Sequence, residues 1–123
     1  MIATCHPADL DLSRVFGARG RGLAERVVAA LCAVVPVEEI WVFGSCARGA
    51  ARGDSDLDLL VVLADEHGLA RPTLACFQAV NHLPECPPAD VLTVTKSRWS
   101  DERARPFGLF GEVVREGVCV YAK

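Results

Sequence analysis

Apolar residues recur along this chain with two periods, and the changes of period mark its elements. Between Gly22 and Val35, the residues Leu23, Val27, Val28, Leu31, Val34 and Val35 fall close to the helical repeat. That spacing predicts an amphipathic helix, ended by Pro36. Glu39-Ile40-Trp41-Val42-Phe43 is short, β-branched and aromatic, as a strand should be. The Ala- and Arg-rich stretch from Cys46 to Arg52 suits a short helix capped by Ser45 and broken by Gly53. Leu57 to Leu63 is continuously apolar, which predicts a strand covered on both faces. A loop over Asp65 to Arg71 leads to a helix from Pro72 to His82, with proline in its first turn. Pro84, Pro87 and Pro88 stiffen the connection to a third strand, Ala89 to Thr95. A last helix over Leu109 to Arg115 is closed by Gly117 and followed by a short strand, Val118 to Tyr121. Helices and strands alternate, but too few for a full doubly wound fold. The expected class is α/β (α+β): a small mixed sheet with flanking helices.

Composition narrows the picture. At 123 residues the chain is expected to form one domain, 1–123, around a single core. A net charge of −3 argues against duplex nucleic acid as a main partner. Eleven of the thirteen basic residues are arginine, which suits bidentate phosphate contacts and equally follows from genome composition. No apolar run is long enough to span a membrane, and the start of the chain has no secretory pattern. Cys5, Cys32, Cys46, Cys76, Cys86 and Cys119 form no Cys-x-x-Cys pair. They read as reduced, mostly buried thiols of a cytoplasmic protein.

The chemistry concentrates between residues 43 and 58. A strand, the turn Gly44-Ser45 and a helix make an anion site, because the first helical amides lack partners and point at the turn. Gly44 admits a phosphate close to the backbone, Ser45 can donate to it, and Arg48 lies one turn on. Alone, such a turn is commonplace. After ten intervening residues, however, Asp56-x-Asp58 opens the second apolar run. Residues two apart on a strand share a face, with Cα atoms about 6.5 to 7 Å apart, so both carboxylates can address one hard cation. Carboxylates heading an apolar strand are otherwise costly to desolvate. Asp90 opens the third strand in the same way. If the strands are neighbours, it reads as a third ligand, as the base for an incoming hydroxyl, or as an exposed strand-start aspartate.

Gly44-Ser45, ten residues and then Asp56-x-Asp58, with Arg48-Gly49, Arg52, Ser55 and Leu59-x-Val61, closely resembles the DNA-polymerase-β-like nucleotidyltransferases. Within that superfamily the chain resembles the minimal nucleotidyltransferases. The likeness extends over about residues 22–122, through Asp90-Val91-Leu92 to Val118-x-Val120-Tyr121. Cys46 occupies a position that varies in such proteins. The resemblance implies metal-dependent transfer of a nucleoside monophosphate to a hydroxyl. Gly44, Ser45 and Arg48 would bind the triphosphate. Asp56 and Asp58 would ligate two Mg2+ ions, and Asp90 would complete one site and activate the acceptor. Minimal members resemble antitoxins that transfer AMP from ATP to a tyrosine of a HEPN-domain ribonuclease toxin, as a homo- or hetero-oligomer. A non-catalytic antitoxin acting by occlusion, and an enzyme acting on a small molecule or RNA end, are the alternatives.

Other residues take plainer readings. His6, His67 and His82 are scattered over the surface, and Trp41 and Trp99 pack, with a base pocket or partner surface as the second reading for Trp99. Cys46 is a small filler beside the phosphate turn, with oxidation as its second reading. Arg98, Arg103 and Arg105 form a solvated face that could also meet a triphosphate or an acidic partner.

Overall fold

The computed structural model describes residues 12–48, 56–105 and 107–123. Cys5, His6, Gly49, Arg52, Gly53, Asp54 and Ser55, together with the Arg48 side chain, lie outside the described residues. The described residues form a four-stranded mixed sheet with helices on both faces. Its elements are α1 (Ser13–Phe16), a 3-10 turn (Gly17–Gly20), α2 (Leu23–Val34), β1 (Val37–Phe43), α3 (Ser45–Arg48), β2 (Leu57–Leu63), α4 (Pro72–Asn81), β3 (Ala89–Thr95), α5 (Lys96–Ala104), α6 (Gly108–Glu116) and β4 (Val118–Ala122). The order across the sheet is β3-β2-β1-β4. β1 runs antiparallel to both β2 and β4, whereas β2 and β3 are parallel, connected through α4.

Alternation along β2 sorts the two faces. Leu57, Leu59, Val61 and Leu63 join Ile40 and Val42 of β1 and Val91 of β3 against Leu23, Val27 and Leu31 of α2 and Cys76 and Val80 of α4. This is the main core, and most of it is fully dry. On the opposite face Leu60 and Val62 join Phe43, Val94, Trp99 and Val113 in a smaller cluster beneath α5 and α6. Asp58 and Asp90 occupy positions on this second face by the same alternation.

A polar cluster closes the far end of that face. Glu39, only 7% exposed, accepts a 2.9 Å hydrogen bond from Trp41 Nε1 and pairs with Arg103 at 3.7 Å. The Arg103 guanidinium lies 5.5 Å from the Trp41 ring centre and 5.2 Å from that of Trp99. Such stacking offsets the cost of burying the Glu39 charge. Arg103 is therefore a clamp between α5 and β1, not part of a solvated arginine face. Arg98 pairs with Glu102 and lies over Phe110, and Arg105 is exposed. Among the described residues no helix is long and apolar enough to cross a membrane. Cys32, Cys46, Cys76 and Cys86 are free thiols.

Candidate active site

The last turn of β1 into α3 lies directly against the head of β2. Phe43 is the register partner of Asp58, so Gly44 emerges beside the Asp58 carboxylate. Gly44 has a φ of +73°, the left-handed region that glycine enters freely. A Cβ at this position would also collide with the Asp58 carboxylate. Both constraints select glycine, one through backbone conformation and one through space. Ser45 begins α3 and is half-buried at the same edge.

Asp90 is the register partner of Asp58 across the parallel β2–β3 pair. The strands are neighbours, as convergence of the carboxylates requires. Side chains directly opposite in a sheet share a face at close range. Asp58 is half-buried, and Asp90 and Asp56 are exposed. Asp56 precedes β2 by one residue, and its carbonyl accepts from the Cys46 thiol at 3.4 Å. That bond ties α3 to the entrance of β2. Among the described residues no three carboxylate, imidazole or thiol groups are gathered closely enough to hold one metal ion as they stand. The backbone brings Asp58 and Asp90 together, and Asp56 stands at the rim of the same edge.

Cys46 registers the field of this edge. Its thiol is pushed up to about 11, first by burial, then by the charges of Asp58 and Asp56. At neutral pH it stays protonated, and with 2% exposure it fills space under the turn. A thiolate ready for oxidation is not present. The reading as a filler stands, with one addition: the thiol donates to the Asp56 carbonyl. Trp99, 1% exposed, is a core residue and lines no base pocket. His67 accepts a hydrogen bond from Leu69 N–H at 3.0 Å and serves its own loop.

The donor set fits a hard divalent cation. It consists of oxygen from carboxylates, with the Gly44 turn packed against one of them. The adjacent Cys46 thiol is turned to the Asp56 carbonyl, to which it donates.

Comparison with known proteins identifies the family and the fold. Residues 24–105 match the nucleotidyltransferase domain family, and the chain belongs to it. The fold is shared with a toxin–antitoxin solved with AMP-PNP, at a TM-score of 0.58 and 19% identity over 80% of this chain and 73% of that one. A candidate nucleotidyltransferase from Sulfolobus solfataricus superposes with a TM-score of 0.58 and 18% identity, covering 100% of this chain and 94% of its own. A mutant of the toxin–antitoxin MntA-HpeT, with two aspartates changed to glutamate, gives a TM-score of 0.55 and 19% identity over 80% and 73%. No protein of curated function matches the sequence.

Proposed function

We propose that the chain is an antitoxin that transfers AMP from ATP to a tyrosine hydroxyl of a HEPN-domain ribonuclease toxin, with Mg2+. The observation that carries this reading is the register of Asp58 opposite Asp90, with the Gly44 turn packed against Asp58. Support also comes from the fold shared with toxin–antitoxin proteins, one of them solved with AMP-PNP.

Each residue then has a task. Gly44 and Ser45 hold the triphosphate through backbone amides and a hydroxyl, and Arg48 adds a cationic contact. Asp56, Asp58 and Asp90 would hold two Mg2+ ions, which would supply charge neutralisation for the α-phosphate and the leaving group. Asp90, on the exposed edge strand, takes the proton of the acceptor hydroxyl. The hydroxyl oxygen bonds to the α-phosphorus, the bond from that phosphorus to the bridging oxygen breaks, and pyrophosphate leaves. Asp90 and Leu92, both exposed on β3, give a protein acceptor a place to approach.

Intact-mass spectrometry of the toxin after incubation with the chain, ATP and Mg2+ tests the reading. One or more AMP units on a toxin tyrosine are expected. An unmodified toxin that is nevertheless neutralised would replace transfer with occlusion.

A further inference from the structure

β3 is an edge strand, and its first residue is held from outside the sheet. In a strand the N–H and C=O of one residue point to the same side, and those of the next residue point to the other. On the inner side, Leu57 N–H donates to the Pro88 carbonyl at 2.8 Å, and Asp90 stands opposite Asp58. The N–H and C=O of Ala89 face away from β2, where no strand follows among the described residues. Both are taken by one side chain. Ala89 N–H donates to Asn81 Oδ1 at 3.0 Å, and Asn81 Nδ2 donates to the Ala89 carbonyl at 3.2 Å.

The Asn81 amide is itself fixed. Its Nδ2 also donates to the Phe77 carbonyl at 2.9 Å, one turn back in α4. A helix-end asparagine that served only its own helix would stop at that bond. Here the amide adds the reciprocal pair to β3, doing the work of a missing neighbouring strand. The strand needs that support, because Pro87 and Pro88 lead into it without backbone donors.

We infer that Asn81 is a positioning residue: by clamping Ala89 it holds the exposed Asp90 opposite Asp58. This rests on the reading of Asp90 given above. The Asn81 amide is taken up by Phe77 and Ala89, so its loss is expected to act through the position of Asp90. Residues that orient ligand-bearing groups at one remove are worth about 10- to 100-fold in activity or metal affinity.

The test compares Asn81→Ala and Asn81→Gln with Thr73→Val. Gln keeps the amide but overshoots Ala89 by a methylene. Thr73→Val removes a different α4–β3 link, the 2.6 Å hydroxyl pair of Thr73 and Thr93, remote from Asp90. Both Asn81 variants should lower kcat for AMP transfer by about tenfold or more, with KM for ATP unchanged. Thr73→Val should leave both constants as in the wild type. In parallel, electron paramagnetic resonance of free Mn2+ with a non-hydrolysable ATP analogue should show weaker Mn2+ binding by the Asn81 variants only. Equal effects of all three variants, or wild-type kcat and Mn2+ affinity in folded Asn81→Gln, would overturn the inference. Should the wild type transfer no AMP, the function proposed above fails and the Mn2+ comparison alone decides the role of Asn81.

Discussion

The two faces of the sheet are built by different rules. The face under α2 and α4 is lined by leucine, valine and isoleucine, many with no exposed surface. The other face is divided along its length. At one end α5 and α6 cover it with Trp99, Val113 and the Glu39–Trp41–Arg103 cluster. At the other end it carries Asp58 and Asp90, with Leu92 still 36% exposed between Asp90 and the buried Val94. Apolar burial is concentrated on one side, and the other keeps exposed Asp90 and half-buried Asp58 beside the Gly44 turn. Stability and chemistry are separable here, and mutations should separate them.

The largest effect should fall on the open end. Asp56→Ala with Asp58→Ala should reduce AMP transfer roughly a thousand-fold, a loss of about 4 kcal/mol in transition-state stabilisation. Circular dichroism should show an unchanged fold. The mirror experiment is Leu59→Ala, whose side chain is fully buried on the other face. It should cost about 2 to 5 kcal/mol in urea unfolding while the remaining folded protein keeps its specific activity.

Gly44→Ala joins the two regimes. It forces a side chain into a φ of +73° and against Asp58. A stability loss of about 1 to 3 kcal/mol by thermal melting should accompany a fall in transfer, since the same atoms serve both. At the covered end of the second face, Arg103→Ala leaves Glu39 without its cation. About 1 to 2 kcal/mol of stability should be lost in urea and tryptophan fluorescence should change, with transfer untouched.

The smallest effect is in pH. Burial pushes the Cys46 and Cys76 thiols up to about 11 from an ordinary value of 9.0. A group whose pKa is raised by folding supports the fold fully below its unfolded value and withdraws that support as pH rises through the folded one. Stability should therefore decline between about pH 9 and 11, followed by melting temperature, and less steeply in Cys76→Ala relative to its own neutral-pH value. At pH 8 a thiol reagent should reach exposed Cys32 well before Cys46 or Cys76.

Much of this was legible in the residues. The spans of β2 and β3 follow their apolar runs from end to end, and α2 and α4 lie within a residue of the hydrophobic pattern. β1 begins at Val37, two residues before the expected Glu39, because Glu38 and Glu39 disguise the strand's start and a bulge absorbs the extra residue. α5 was not visible at all. Lys96–Ala104 contains one large apolar residue, Trp99, so no period marks it. It is held by tertiary contacts instead: Trp99 packs on the sheet, and Asp65 accepts 2.9 Å bonds from the Ser97 N–H and hydroxyl. Those bonds lower the Asp65 pKa, the backbone one most. α1 and the 3-10 turn likewise carry no periodic signal.

At the site, the residue types and spacing were readable, whereas the pairing was not. That Asp58 stands opposite Asp90 depends on strand order and register, which no local pattern encodes. The Asn81 clamp is hidden for the same reason, since a lone asparagine before a proline-rich turn reads as a helix end.

The most direct measurement uses ATP labelled at the α-phosphate, Mg2+, the HEPN-domain toxin proposed as partner, and either the wild-type chain or a folded Asp56→Ala/Asp58→Ala variant. Label on the toxin with the wild type alone is the predicted result, together with toxin ribonuclease activity that only the wild type suppresses. Unlabelled toxin, neutralised equally by both proteins, would contradict the claim that the carboxylate edge of this sheet carries the function.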